Sequence, residues 1–374
     1  MTKIILPLFL LLSFSLTCHS QKLKPGFDKE EYREMMLISA KTSALDSNYY
    51  HSLPFPAHFT LQYRSSSIGL DNLWELWSDD KSGKAVISIR GTTEKAESWL
   101  ANFYAAMVPA KGELRLNSHE VFSYQLASEP KAAVHVGWLL SMVYLSKEIL
   151  PKINEQYQQG NRDILIMGHS QGGAISYLLT SYLYNLQRLN QLPKDIRFKT
   201  YCSAAPKPGN LYYAYEYEAM TGGGWAFNVV NAADWVPEMP ISIQTLNDFN
   251  NVNPFTNAKQ VIRKQKFPKN LVLKHVYNQL DKPTRKAQRK YEKYLGRMTS
   301  KLIKKYLPDF TPPTYYNSNH YVRTGTTIVL LPDEEYYKLY PDDPTKLFPH
   351  HFHEQYLYLL NRLSSYEFNS PTAM

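Results

Sequence analysis

The residues Gly168-His-Ser-Gln-Gly172 have the G-x-S-x-G spacing of a nucleophile elbow. A short apolar run over residues 163–167 comes before them, and a helical pattern follows at once. A serine hydroxyl is a weak nucleophile at neutral pH until a base removes its proton. A tight turn here would raise Ser170 out of the backbone, where a histidine could reach it, and the two glycines would let the helix cross close to the strand. The pattern predicts a serine hydrolase with Ser170 as its nucleophile.

A carboxylate suited to orient the catalytic histidine follows later in the chain. In elbow-type hydrolases the order is serine, then aspartate or glutamate, then histidine. Asp234 comes after the apolar strand pattern of residues 226–230 and precedes Trp235-Val-Pro237. A carboxylate just past a strand end lies at the same edge of the sheet as the elbow. We therefore predict that Asp234 is the orienting acid.

The histidine is less determined, because five histidines follow the acid: His275, His320, His350, His351 and His353. The first lies in a basic segment typical of a surface, and the second precedes a strand. The last three form a cluster just before the final helical pattern, where a base could reach over the sheet edge. We select His353 because that helix begins beside it, and the other two members of the cluster stay open alternatives. The cluster lacks the spaced carboxylate or cysteine partners of a metal site, so no metal or cofactor is expected.

Donors for the oxyanion complete the predicted chemistry. One is the backbone N–H of Gln171, the residue after the nucleophile. The second should come from a strand-end loop earlier in the chain, and Ile89-Arg-Gly-Thr-Thr93 is suitable. There Gly91 frees the backbone, and Thr92 offers both an N–H and a hydroxyl.

The elements that must position these residues follow an α/β pattern. Strands alternating with helices imply a mainly parallel central sheet flanked by helices on both faces. The predicted strands cover 59–63, 73–77, 85–90, 163–167, 197–202, 226–230 and 321–331, and the predicted helices cover 138–158 with a break or kink at Pro151, 172–189 and 354–363.

Five ordered blocks resemble the class 3 lipase family, the fungal-lipase-like branch of the α/β-hydrolases. The blocks are Ile89-Arg-Gly-Thr92 with Trp99-Leu100, Val134-His-Val-Gly-Trp138, Gly168-His-Ser-Gln-Gly-Gly173, Ser203-Ala-Ala-Pro-Lys-Pro-Gly-Asn210, and Asn231 through Asp234 to Val236-Pro237. His353-x-x-Tyr356 would be a sixth block.

The resemblance implies an α/β-hydrolase fold with Ser170 as nucleophile, Asp234 as orienter, His353 as base, and Thr92 with Gln171 as the oxyanion hole. It also implies structural roles for His135 and Gly137, and a mobile lid over residues 102–111 with an apolar face of Phe103, Tyr104, Met107 and Val108. The alternative for that segment is a surface helix packed on the core. The chain departs from the family at Ser203-Ala-Ala, where bulkier residues are usual, and in an insertion at about 246–313.

Basic charge is concentrated in that insertion. The net charge is +9, but residues 259–305 hold sixteen Lys and Arg against two acidic residues, so the rest of the chain has a net charge of −5. Residues 282–307 carry a helical apolar stripe, Tyr291, Leu295, Met298, Leu302 and Tyr306. The segment is either a mostly helical cap that packs this stripe on the core, or a surface that attracts anionic membrane, lipopolysaccharide or acidic polymer. No nucleic-acid partner is expected.

The chain begins with the pattern of an export signal. Met1–Ser20 has a basic start and an apolar stretch too short to span a bilayer. Cys18 offers an alternative, a lipidated cysteine that would make the protein a lipoprotein. After processing, Cys202 would be the sole thiol available for pairing within the chain, so no intrachain disulfide is expected. Residues 21–374 are predicted to form one lipase-like domain, exported to the periplasm or the medium.

Together these features predict a serine carboxylic ester hydrolase that acts on lipid esters, as a triacylglycerol lipase does, through an acyl-enzyme on Ser170. A short-chain esterase and a phospholipase A-type acyl hydrolase are the enzymatic alternatives. The alternative of another class is an exported hydrolase-like protein that binds anionic surfaces through its basic insertion.

Overall fold

A computed structural model describes residues 22–43 and 52–363 of the chain. The predicted export signal at 1–20, with Cys18, lies outside the described residues, and it stays a prediction.

A seven-stranded sheet forms the centre of the fold, in the order β1-β2-β3-β8-β9-β11-β13. The first three strands pair antiparallel, and β3, β8, β9, β11 and β13 are parallel. The predicted α/β-hydrolase fold with a mainly parallel sheet is thus confirmed. The strands are β1 Thr60–Arg64, β2 Trp74–Asp79, β3 Lys84–Ile89, β4 Met107–Pro109, β5 Lys111–Arg115, β6 Val121–Gln125, β7 Ala133–His135, β8 Asp163–His169, β9 Arg197–Ser203, β10 Gly209–Asn210, β11 Ala226–Asn231, β12 Tyr321–Val322 and β13 Thr326–Leu330.

Helices cover both faces of this sheet. They are α1 Lys29–Ser43, α2 Ala96–Phe103, α3 Val136–Gln158, α4 Gln171–Arg188, α5 Leu211–Thr221, α6 Ala258–Arg263, α7 Lys269–Glu292, α8 Thr299–Ile303, α9 Glu334–Leu339 and α10 His353–Arg362. The apolar residues of α1 and α10 pack in one core, and those of α3 and α4 in the other.

Every residue of β8 is buried, as expected for a central parallel strand. Its side chains alternate between the two cores. Leu165 and Met167 pack with α1 and α10, whereas Ile164 and Ile166 pack with α3 and α4. This strand is therefore fixed from both faces, and it ends at the elbow.

Two predicted elements differ in the structure. Helix α3 continues through Pro151, so no break occurs there. The single strand predicted for 321–331 is two strands, because Gly325 adopts φ +82° between them. Strand β12 joins a small sheet, β12-β10-β7-β4, and β13 joins the central sheet.

The segment 102–111, expected to be a mobile lid, is held in the small sheet. Strand β4 pairs antiparallel with β7, and Met107 and Val108 are buried together with Tyr104. Phe103 alone of the four expected lid residues is exposed. The lid prediction is wrong for this segment, because pairing with β7 turns its apolar side chains into the core.

The basic insertion is mostly helical, as predicted, but its buried side differs from the predicted stripe. A π-helical turn over Lys293–Met298 joins α7 to α8. That turn shifts the register, so Gly296, Thr299, Ser300 and Ile303 face inward while Met298, Leu302 and Tyr306 stay exposed. Backbone bonding ties the turn to the core, because Ala106 N donates to the Leu295 carbonyl at 3.1 Å.

Candidate active site

Ser170 occupies a strained turn between β8 and α4. Its backbone has φ 58° and ψ −128°, a conformation that a residue with a side chain rarely adopts. The turn is held because the Ser170 N–H donates to the Ser203 carbonyl at 2.9 Å, and Gly173 N donates back to the Ser170 carbonyl at 3.0 Å. The strain leaves Ser170 partly exposed at the end of a buried strand.

Two glycines permit this turn by allowing backbones to touch. A Cβ on Gly168 would lie 2.2 Å from the Gly172 carbonyl, and a Cβ on Gly172 would lie 2.2 Å from the Ile89 carbonyl oxygen. Either substitution would push α4 away from the strands beneath it. The predicted elbow geometry is present, with the helix N-terminus placed directly behind the serine.

Asp234 lies past the end of β11 and contacts a histidine, as predicted for the orienting acid, but that histidine is His351. The His351 Nδ1 lies 2.7 Å from Asp234 Oδ2. The same oxygen accepts the Tyr356 hydroxyl at 2.8 Å, and Oδ1 accepts the Val236 N–H at 3.0 Å. A buried carboxylate with three donors is fixed in position, so it can hold the imidazole in one orientation and one tautomer.

The structure does not bring His353 to the acid. Its Nε2 lies 3.1 Å from Ser39 Oγ of α1, and its ring stacks on His169 with centroids 4.3 Å apart. Burial, helped by the nearby His351, lowers the pKa of His353 to about 3. The prediction that His353 is the histidine held by Asp234 is therefore corrected, because His351 takes that position. His353 is the first residue of α10, so its direction is set by the packing of that helix on α1.

The remaining candidate histidines lie elsewhere. His350 bonds through its two ring nitrogens to the Tyr336 hydroxyl and to Asp342, both at 2.9 Å. His320 precedes the short strand β12 at the small sheet, and His275 is exposed on α7. None of these three lines the cavity in front of Ser170.

His169, the residue before the nucleophile, holds the loop that carries His351. Its Nε2 lies 2.7 Å from the His351 carbonyl oxygen, and its Nδ1 lies 3.1 Å from Ser203 Oγ. A carbonyl only accepts, so Nε2 carries the proton and Nδ1 accepts from the Ser203 hydroxyl. Tyr32 in turn donates to that hydroxyl at 2.7 Å. Burial holds the pKa of His169 well below its usual range, which keeps the ring neutral as this arrangement requires.

The two predicted oxyanion donors share a single support, Asn102 at the end of α2. Its amide nitrogen donates to Thr92 Oγ1 at 3.0 Å. Its Oδ1 accepts from Gln171 Nε2 at 2.9 Å and from the indole N–H of Trp138 at 3.0 Å. The indole is only a donor, so the orientation of the amide is determined. Because Thr92 Oγ1 accepts from Asn102, its own proton is left to point toward a developing oxyanion.

The backbone of Gln171 is placed for the second donation. It is the first residue of α4, where the N–H groups and the helix dipole favour negative charge. The Gln171 side chain is occupied in supporting the strand-end loop, since it also donates to the Ser98 carbonyl at 2.9 Å.

A cavity of about 760 Å³ opens in front of these residues. Ser170, His351, Thr92 and Gln171 all line it. Its other walls are largely apolar and aromatic, and they include Trp99, Phe103, Pro206, Trp235, Val236, Met239, Tyr291, Leu295, Phe348 and Phe352. A few convergent polar groups in an apolar cavity are typical of a site for an organic ligand with an apolar chain.

Residues 86–243 match the family described as Lipase (class 3). Over this segment the chain is similar to the class 3 lipase family. All five blocks on which the resemblance rests lie inside the match, and so do Ser170, Asp234, Thr92 and Gln171. The match supports assignment of the chain as a carboxylic ester hydrolase of the lipase type. The match ends at residue 243, so it does not include His351 or the other candidate histidines near the C-terminus.

Solved fungal lipase structures are similar to part of the chain. The Rhizomucor miehei lipase propeptide complex is 21% identical over 58% of this chain and 65% of its own, with a TM-score of 0.41. Lipase II from Rhizopus niveus is 22% identical over 58% and 77%, with a TM-score of 0.41. A triacylglycerol lipase from Penicillium expansum is 15% identical over 57% and 75%, with a TM-score of 0.42. A comparison with curated protein sequences finds no match.

Sequence reasoning missed Asn102 and His169 as functional residues. His169 lies inside the elbow motif, but its role depends on a loop 182 residues away. Asn102 had been assigned to the lid, and no local pattern marks it. Within residues 22–43 and 52–363, no group of His, Cys, Asp or Glu is arranged to hold a metal ion, and no helix is long and apolar enough to cross a membrane.

Proposed function

We propose that the protein hydrolyses carboxylic esters of lipids through an acyl-enzyme on Ser170, with His351 as base and Asp234 as its orienter. The observation that carries the proposal is the 2.7 Å contact between His351 Nδ1 and Asp234 Oδ2 at a cavity that Ser170 also lines. An acid, an imidazole and a strained serine at one opening are the components of acyl transfer.

In the first half-reaction Ser170 Oγ attacks the ester carbonyl while His351 Nε2 takes the hydroxyl proton. Asp234 stays ionised and holds the proton on Nδ1, which stabilises the imidazolium that forms. The carbonyl oxygen becomes an oxyanion and accepts from the Thr92 hydroxyl and the Gln171 N–H. His351 then gives its proton to the leaving alcohol as the ester C–O bond breaks.

In the second half-reaction water enters where the alcohol left. His351 takes a proton from the water as its oxygen attacks the acyl carbonyl. The bond to Ser170 Oγ then breaks, His351 returns the proton to that oxygen, and the carboxylic acid leaves. Every proton moves through one imidazole, so no metal or cofactor takes part in these steps.

The walls of the cavity favour an apolar acyl chain. Four of the aromatic side chains, Trp99, Phe103, Trp235 and Phe348, form a connected series of ring contacts with centroids 5.4–6.3 Å apart. These walls offer apolar surface to an acyl chain, and the two cations that also line the cavity, Arg90 and Lys95, are both paired with Asp71. Acylglycerols are the leading substrate class. A short-chain esterase and a phospholipase A-type hydrolase use the same machinery and differ in the preferred chain and head group.

A fluorophosphonate probe tests the nucleophile directly, because it reacts with an activated serine. We expect the full chain to be labelled and the Ser170→Ala variant to be unlabelled. Ser128→Ala, at an exposed serine away from the cavity, is the matched control and should label fully. Nitrophenyl esters from acetate to palmitate, with triacylglycerol and phosphatidylcholine, then separate the three substrate classes.

The same experiment distinguishes an enzyme from a binding protein without activity. Equal labelling of the full chain and of Ser170→Ala, or no labelling of either with no ester hydrolysis, would remove the catalytic proposal. It would leave a hydrolase-like scaffold whose function lies in its surface.

We also propose that the protein is exported, on the basis of the signal-like Met1–Ser20. The mass of the mature chain tests this. Cleavage near residue 20 supports a free exported protein, whereas an acylated Cys18 at the new N-terminus supports a lipoprotein. An uncleaved N-terminus would contradict both.

A further inference from the structure

Helix α7 presents an apolar stripe to solvent. Val272, Val276 and Leu280 follow one another at intervals of four residues, so they lie along one side of the helix. Their exposed fractions are 60%, 49% and 64%. Phe267, just before the helix, is 78% exposed. Of the 24 residues of α7, Asp281 and Gln288 are the two that are buried. A long helix with this much apolar surface in water marks a contact surface.

Exposed lysines lie beside the stripe and extend it. Lys269, Lys286 and Lys290 are exposed on α7. At 3.6 residues per turn, each lies within about 80° of Val276 around the helix axis, so they flank the stripe. The two acidic residues of segment 259–305 are each paired with an arginine of the same segment, Asp281 with Arg285 and Glu292 with Arg297. The surface therefore keeps a strong positive charge close to its apolar residues.

We propose that this face of α7, defined by Val272, Val276, Leu280 and the three exposed lysines, docks the protein on a bilayer that contains anionic lipid. Cations beside an apolar stripe match the two layers of such a surface, since phosphate head groups lie above acyl chains. An acidic polymer would use the cations and leave the stripe in water. A second copy of the same face would be repelled by its charge.

Helix α7 connects the docking face to the cavity. The helix runs on from the stripe to Tyr291, which lines the cavity in front of Ser170. At 1.5 Å per residue, Tyr291 lies about 22 Å along the helix from Val276. Docking through α7 would therefore keep the cavity about 22 Å, measured along the helix, from the residues that contact the lipid. The docking surface shares no residue with the catalytic machinery, so the two proposals can fail separately.

Vesicle co-sedimentation of the full chain tests the proposal. The Ser170→Ala background prevents any lipid hydrolysis during the measurement. Binding is compared for vesicles of phosphatidylcholine alone and for vesicles of equal parts phosphatidylcholine and phosphatidylglycerol. We expect binding to the anionic vesicles that weakens as salt is raised, and little binding to the neutral ones.

Two triple variants separate charge from apolar contact. Lys269→Glu, Lys286→Glu and Lys290→Glu together should weaken binding by at least about 100-fold, given the usual contribution of each cation near an anionic surface. Val272→Gln, Val276→Gln and Leu280→Gln together should weaken it by about tenfold or more, and glutamine keeps the helix propensity high. The charge control is the same reversal at exposed lysines outside the insertion, Lys24, Lys81 and Lys194.

Hydrolysis of a soluble nitrophenyl ester, measured with Ser170 intact, should stay unchanged in both triple variants, because none of the six residues lines the cavity. Equal binding to neutral vesicles, or an equal loss in the charge control, would overturn the proposal. Loss with the lysine variant but full binding with the glutamine variant would also overturn it, and would point to an acidic polymer instead.

Discussion

His169 Nε2 donates to the backbone carbonyl of His351 across 2.7 Å, which ties the residue before Ser170 to the residue proposed as its base. The two ends of the proposed triad are thus joined through the backbone as well as through chemistry. The Tyr32 and Ser203 hydroxyls support the other side of the His169 ring. This network fixes where His351 stands relative to Ser170.

Replacing His169 should misplace the base and leave the serine in position. We expect His169→Ala to lower kcat on a soluble ester by about 100-fold, the scale typical of a small displacement in an active site. His169→Gln should recover part of this loss, because its amide can still donate to the His351 carbonyl. Steady-state kinetics gives kcat for each variant, and circular dichroism verifies that each variant is folded. Unchanged kcat in a folded His169→Ala protein would show that the contact does not position the base.

Thr92 and Asn102 should behave as one unit in oxyanion binding. Thr92→Val removes the hydroxyl while keeping the shape, and should lower kcat by about 10²- to 10³-fold with little change in KM. Asn102→Ala should cause a smaller loss, because Thr92 is then present but no longer held. In the double variant the losses should be less than additive, since the contact of Asn102 with the Thr92 hydroxyl is already lost in Thr92→Val. Fully additive losses would mean that Asn102 acts by another route.

Leu295 brings the insertion into the cavity and should influence chain-length preference. Leu295→Trp fills part of the space, so the ratio of kcat/KM for laurate over butyrate esters should fall by about tenfold or more. Leu302→Trp is the matched control, because Leu302 belongs to the same insertion, is exposed, and does not line the cavity. An unchanged ratio in Leu295→Trp would exclude the insertion from substrate selection.

Buried neutral histidines should make the fold sensitive to acid. Burial lowers the pKa of His135 and of His353 to about 3, and holds that of His169 well below its usual value. The unfolded chain takes up these protons near pH 6.5, so stability is fully present above that pH. It is lost as the pH falls from 6.5 toward 3. Urea unfolding at a series of pH values should show this decline.

His353→Gln provides the control for that decline. Between pH 7.5 and 5 its free energy of unfolding should fall by about 1–2 kcal/mol less than that of the unaltered chain. The reason is that the unfolded variant has one histidine fewer to bind a proton. A decline of the same size in both proteins would show that carboxylates, and not this histidine, cause the acid sensitivity.

Local rules predicted the elbow, the sheet and the acid, because each depends on contacts close in sequence or on chain order. Gly168 and Ser170 are determined by the sterics of one turn, and Asp234 by its place after a strand. The histidine could not be chosen this way. His351 and His353 are two residues apart, and which one meets the acid depends on where α10 begins and how it packs on Ser39 of α1.

Other differences also come from contacts distant in the chain. The supposed lid at 102–111 has the apolar pattern of a mobile helix, but β4 pairs with β7 some thirty residues later. The predicted strand at 321–331 divides at Gly325, where the chain leaves one sheet for another. The π-helical turn at Lys293–Met298 shifted the stripe of the insertion, and nothing in the apolar period marks such a turn.

We propose His351, held by Asp234, as the base for Ser170. The most direct measurement is kcat for a soluble ester with His351→Ala and with His353→Gln, each verified as folded. We predict a loss of at least about 10³-fold for His351→Ala, as for removal of a triad histidine, and less than about tenfold for His353→Gln, whose amide can still bond to Ser39. A large loss in His353→Gln with near-full activity in His351→Ala would contradict the account.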